Sequence, residues 1–165
     1  MGKSVSRNSA FSMINKGLSV VFPLVTVSYI SRVLGAAGIG EVSSAQNLAT
    51  YFSMAAALGI PSYGVRAIAQ SKRDENSCNK TFSELFAINL ISSIIATVVY
   101  LITVFCFKIN NSNTALALIF SSIIVFNVIN IEWVYQGYEE YEYIMIRSFV
   151  IKIVSLLLLF IFVRR

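Results

Sequence analysis

The chain has 165 residues, of which 56% are hydrophobic and only 13% charged, and its mean hydropathy is +0.73. That balance excludes an ordinary soluble domain, in which about a quarter of residues are charged. Thirteen Lys and Arg against eight Asp and Glu give a net charge of +5, and in a membrane chain the placement of those cations reports orientation.

Apolar runs recur at 11–34, 42–64, 82–107, 114–135 and 146–163, each near the ~20 residues that carry a helix across the hydrocarbon core. They are continuous and rich in Ile, Leu, Val, Ala and Phe, without the period-2 alternation of a barrel wall. The expected fold is therefore all-α, a polytopic helical membrane protein with about five transmembrane helices. Lys3, Arg7 and Lys16 precede the unbroken apolar part of the first run, and the small residues of "LGAAG" follow it, which is also the pattern of a cleaved signal peptide. It is long for one and is interrupted by Pro23, and the later runs hold the chain in the membrane in either case.

In chain order, the runs carry polar stripes. On a helix of 3.6 residues per turn, Ser12, Lys16, Ser19, Pro23 and Thr26 share one side of the first run, opposite Ile14, Leu18, Val21 and Val25. Pro23 should kink this helix and release a carbonyl, which is tolerable only against protein or a wet cavity. "LGAAGIGE" follows as a tight exterior turn, not as a phosphate-cradling loop. The second run has Ser43, Asn47, Thr50, Ala57 and Pro61 on one side, and residues 65–81, "VRAIAQSKRDENSCNKT", read as the only long solvated connection. The third has Asn89, Ser93, Ala96, Tyr100 and Thr103, and the fifth Ser148, Lys152 and Ser155. Near the inner end of the fourth, "NIEWVYQGYEEYEY" brings Glu132 to interface depth beside Trp133 and Tyr135.

Small and hydroxylated stripes commonly pack helix against helix in a bilayer. Lysines are different, because an ammonium at a span centre costs about 2.5–3.5 kcal/mol on insertion scales. Lys16 and Lys152 are thus candidates for a substrate-facing role, with snorkelling to the interface as the alternative. Glu132 is either an interfacial anchor or an acid that couples to an ion or neutralises Lys16, Arg66 or Lys152.

Lys3 and Arg7, and then Arg66, Lys72, Arg73 and Lys80, place the amino terminus and residues 65–81 on the cytoplasmic side. Arg32 and Lys108 belong to exterior connections. The chain has no histidine and no CxxC, and Cys78 in the inner loop cannot pair with Cys106 near the outer end of the third span. No catalytic residue, metal site or cofactor is expected. The basic connection suits anionic headgroups better than nucleic acid.

The stretch "SYISRVLGAAGIGEVSSAQNLATYFSMAAALGIPSYGVRAIAQ", the basic connection after it, and "NIEWVYQGYEEYEYI" together resemble the amino-terminal part of Wzx-type polysaccharide flippases of the multidrug/oligosaccharidyl-lipid/polysaccharide exporter superfamily. The resemblance runs the length of the chain. It implies a bacterial inner-membrane protein that moves undecaprenyl-diphosphate-linked repeat units of O-antigen or capsular or exopolysaccharide from the cytoplasmic to the periplasmic leaflet. Its implied partners are that lipid-linked oligosaccharide, membrane lipids, the polysaccharide polymerase and a carboxy-terminal lobe. Members have two lobes and alternating access, so this chain is expected to be most of one lobe, a truncated piece that does not transport alone. A cationic cavity is implied, for which Lys16, Arg32, Arg66 and Lys152 are the candidates. Two other functions compete: a multidrug antiporter, which would want acids in its cavity, and a non-transporting assembly subunit.

Overall fold

The computed structural model describes residues 5–107 and 114–163, and these are helical apart from short connections. Four stretches are long and apolar enough to cross a membrane: Asn8–Ser71, Glu75–Cys106, Thr114–Gly137 and Tyr141–Phe162. Their apolar residues are largely exposed, Ile91, Ile95 and Ile102 on one helix and Leu157 and Phe162 on another among them. Water would penalise such a surface, whereas lipid tails do not. The chain is an all-α, multi-pass membrane protein.

The expected first and second spans both fall in the 64-residue stretch Asn8–Ser71. As one straight helix it would run about 96 Å, some three times the ~30 Å hydrocarbon core. The backbone leaves the helix at two points inside it. Helix α1 (Val5–Ala57) is interrupted at Gly35, where φ is 70° and ψ 176°. That region is open essentially to glycine alone, and the break coincides with the expected turn, although helix resumes directly after it. Pro23, in contrast, sits inside helical backbone.

The second interruption is Leu58 and Gly59, both with positive φ. Pro61, one residue into helix α2 (Ile60–Ser71), has no N–H to donate and is suited to a first turn. The expected long connection at 65–81 is therefore mostly helix, and only 72–74 lies between α2 and helix α3 (Glu75–Phe107). Asp74 explains why: its carboxylate accepts from the amides of Asn76 (3.3 Å) and Ser77 (3.2 Å), capping α3. Cys78, placed by the sequence in a loop, is instead buried in the first turns of α3.

Helix α4 (Thr114–Phe126) passes through a 3-10 turn (Asn127–Ile129) into the short helix α5 (Glu132–Gly137), and helix α6 is Tyr141–Phe162. The chain divides into two compact units, Met1–Ile39 with Glu139–Arg165, and Gly40–Tyr138.

In the Gly40–Tyr138 unit, α3 is the organising helix. Its residues Asn89, Ser93, Tyr100 and Val104 are buried along one face. Tyr100 and Val104 join Ala49, Ala56, Ala117 and Ile124 in one apolar cluster. The Tyr100 hydroxyl donates to the Ala117 carbonyl (2.9 Å) and Ser92 Oγ to the Ala56 carbonyl (2.6 Å). The polar stripe expected on the third span is thus a packing seam. A second cluster of Ile60, Ile68, Cys78, Leu85 and Trp133 ties α2 and α5 to the start of α3. There Cys78 Sγ lies 3.0 Å from the Tyr138 hydroxyl. That hydrogen bond first, and then burial and the nearby Cys78 and Glu75, raise the phenol above its usual value.

Candidate functional site

The other unit pairs the first part of α1 with α6. Lys152 Nζ donates to Ser19 Oγ at 3.0 Å, and that hydroxyl donates to the Asn15 carbonyl at 2.8 Å. Higher up, the Tyr29 hydroxyl donates to the Val163 carbonyl (2.8 Å), and its ring meets Phe160 edge-on at 4.7 Å. Contacts advance together along both helices, from Ser19 with Lys152 to Tyr29 with Phe160 and Val163, so the two helices run parallel. The polar stripe of the first span and that of the last therefore meet each other.

Pro23 gives this meeting point its chemistry. Lacking an N–H, it cannot donate to the carbonyl four residues back, which belongs to Ser19. At the position where Lys152 arrives, α1 thus presents the Ser19 hydroxyl and a carbonyl with no helical donor. Both are acceptors that a three-donor ammonium can use.

Lys16 lies three residues before Ser19, about 4.5 Å of axial rise away, and is exposed. It opens on a groove of about 490 Å³ lined by Asn8, Ser9, Ser12, Lys16, Glu139 and Tyr141. Asn8 is buried there, and its Oδ1 has no hydrogen-bond partner among the described residues. Sequence reasoning identified Ser12 and Lys16 and missed Asn8, Ser9, Glu139 and Tyr141. Asn8 and Ser12 share the i, i+4 spacing, so that half was legible. Glu139 was passed over because acids contribute little to the orientation rule. Its φ of 63° turns the chain into α6.

The remaining candidates are divided between the two units. Arg32 is exposed on α1 one turn before the Gly35 break, and Arg66 is exposed in the middle of α2. Glu132 opens α5, in the unit that holds Arg66 and not in the one that holds Lys16 and Lys152, and its Oε1 accepts from Gln136 Nε2 at 3.2 Å. No three His, Cys, Asp or Glu converge as metal ligands among the described residues.

The sequence profile described as polysaccharide biosynthesis protein matches residues 5–165. The chain is 27% identical over 164 residues to a curated protein of Escherichia coli (strain K12) called "Putative O-antigen transporter", an alignment that covers 97% of this chain and 39% of that protein. The chain thus spans about two fifths of the length of the relative it matches. No solved structure matches it.

Proposed function

Because the chain belongs to the polysaccharide biosynthesis protein family, we propose that it contributes one part of a flippase that carries a diphosphate-linked oligosaccharide lipid from the cytoplasmic to the periplasmic leaflet. The work is transport, not bond-making. The single observation that carries the reading is the Lys152–Ser19 contact, which sets a second ammonium on the side of α1 that Lys16 occupies. A diphosphate is poorly soluble in hydrocarbon, and fixed cations along a wet path lower the cost of moving it. Two ammonium groups along one stripe suit a dianion; a cationic drug would be repelled. Arg32, in the same unit as the two lysines, is a further cation in this reading, and Arg66 and Glu132 belong to the other unit.

Parity together with charge supports one orientation. If α1 before Gly35 and α6 cross the membrane in the same direction, an odd number of crossings must separate them. The second part of α1, α3, and α4 with α5 supply three. This supports five crossings in all, with the amino terminus and residues 65–81 cytoplasmic, where the lysines and arginines are dense. The inner membrane of a bacterium is the expected location, with the lipid-linked oligosaccharide, bilayer lipids, a polymerase and a second lobe as partners.

The test is a chromosomal series in the host strain at matched protein levels. Lys16→Arg should retain most surface polysaccharide, and Lys16→Ala and Lys16→Glu should lose it progressively. Equal output from all three would remove Lys16 from the substrate path.

A further inference from the structure

The two helices that flank residues 72–74 face each other across a second cleft, of about 470 Å³, which none of the candidates above explains. On α2 it is lined by Tyr63, Ala67 and Gln70, at i, i+4 and i+7. On α3 it is lined by Ser77, Thr81, Glu84 and Ile88, at i, i+4, i+7 and i+11. Ala67, Leu85 and Ile88 supply apolar surface. The volume falls within the ~300–1,000 Å³ of small-molecule sites.

Glu84 is the informative residue. It is exposed on the early turns of α3, at the start of that helix's apolar stretch and three residues beyond the connection read as cytoplasmic. A carboxylate there keeps its charge at little cost and offers acceptors to the cleft. Its neighbours across the cleft are neutral polar groups. The Thr81 hydroxyl donates to the Ser77 carbonyl (2.9 Å) and the Ser71 hydroxyl to the Ala67 carbonyl (2.8 Å), so both turn lone pairs outward. The cleft is therefore rich in acceptors, with the Gln70 amide and the Tyr63 hydroxyl as its donors. Tyr63 is 64% exposed and offers a ring face beside them.

We propose that this cleft is a saccharide site, taking a neutral hexose ring whose hydroxyls donate to the Glu84 carboxylate and Thr81 and accept from Gln70, while Tyr63 covers one face of the ring. A polyol carries a donor on every hydroxyl, which is what an acceptor-rich cleft lacks. A phosphate or a uronate would meet the Glu84 carboxylate as a like charge, and a hydrocarbon chain would strand the polar groups. The source of the sugar rests on the flippase reading: it is a residue of the lipid-linked oligosaccharide. The cleft itself does not depend on that reading.

The experiment is saturation-transfer NMR on the full chain in lipid nanodiscs, with the methyl glycosides of glucose, galactose and N-acetylglucosamine, and with inorganic phosphate binding measured in parallel. Saturable transfer to the ring protons of at least one glycoside is expected, weakened at least tenfold by Glu84→Gln and by Gln70→Ala. Tyr63→Phe should keep most of the transfer and Tyr63→Ala should lose it. Emission of the single tryptophan, Trp133, reports that each variant is folded. No transfer from any glycoside, transfer indifferent to Glu84 and Gln70, or preferential binding of phosphate would overturn the site. Normal export by a Lys16→Glu strain, with Glu84-dependent sugar binding intact, would refute the diphosphate reading and leave the cleft as a receptor for free sugar.

Discussion

The packing of α2 on α5 depends on two glycines, and adding one methyl group to either is a sharp test of the fold. A Cβ built on Gly64 would stand 2.4 Å from Trp133 Cε3 and 2.8 Å from Cδ2 and Cζ3, and one on Gly137 would stand 2.7 Å from Ile68 Cγ2. Carbon atoms in contact prefer about 3.5–4.0 Å, so α2 and α5 would have to part by about 1 Å. Trp133 has little room to yield, because its ring is buried and stacks on Phe82 at 5.9 Å and 27°. Overpacking of this kind costs about 1–3 kcal/mol, and a rigid indole as the obstacle puts Gly64→Ala at the upper end, about 2–3 kcal/mol or roughly 30- to 140-fold in the unfolding constant. Gly17 and Gly40 are the controls: both are helical, and a Cβ on either meets nothing within 4 Å. Alanine there should be neutral or stabilise by up to about 1 kcal/mol. The assay is reversible unfolding in mixed micelles followed by Trp133 emission. Gly64→Ala with unchanged stability and an unshifted emission maximum would refute the close approach of the two helices.

At Gly35 the obstacle is the backbone alone, since a Cβ there meets nothing within 4 Å, so Gly35→Ala should cost about 1–3 kcal/mol in the same unfolding assay while Gly40→Ala costs none. Tyr100→Phe should lose only about 1 kcal/mol, because the Ala117 carbonyl keeps its helical donor, whereas Tyr100→Ala should lose about 3–5 kcal/mol by emptying a fully buried site. Tyr138 adds an alkaline dependence. Its folded pKa is raised, so its contribution is complete below the unfolded value near 10 and declines as pH rises through the folded value; Tyr138→Phe should flatten that part of a pH–stability curve. For orientation, the exposed Cys106 should react with an impermeant maleimide added outside intact cells, and a cysteine at Arg73 should react only after permeabilisation; the reverse pattern would invert the topology.

Composition and run length were enough to read the fold class, because a chain this apolar has only one solvent that suits it. The stripes were legible as spacing but not as function. Ser and Ala at helical intervals suit a helix seam and a wet wall equally well, and only the facing helix decides. For Ser93 and Tyr100 that helix is α4, and the stripe closes as a seam. For Ser19 it is α6, and the stripe meets a lysine. The connection at 65–81 was misread because its charges outweighed two local signals, the Ile60, Gly64 and Ile68 repeat of α2 and the Asp74 cap. Glu84 went unnoticed although Ser77, Thr81 and Glu84 have helical spacing, since a cleft exists only once Tyr63 and Gln70 stand opposite.

The two intramembrane lysines show what the pattern alone could not separate. They share an expected cost and a cationic character, but their surroundings differ. Lys152 is half-buried and held on the Ser19 hydroxyl, at the carbonyl that Pro23 leaves without its helical donor. The acceptor that holds the charge is the Ser19 hydroxyl, and the carbonyl that Pro23 leaves without a helical donor belongs to the same residue. Lys16 is exposed on a groove whose wall includes Glu139 and the Asn8 amide oxygen, which has no hydrogen-bond partner among the described residues. An ammonium fixed by protein acceptors positions, and one left facing an open polar groove is available to a moving anion. Losing Ser19 should thus act through Lys152: Ser19→Ala should lower export in the strain used for the Lys16 series, Ser19→Thr, which keeps the hydroxyl, should restore it, and the Lys152→Ala background should be indifferent to both. Additive losses from Ser19→Ala and Lys152→Ala would show that the contact does not position the cation.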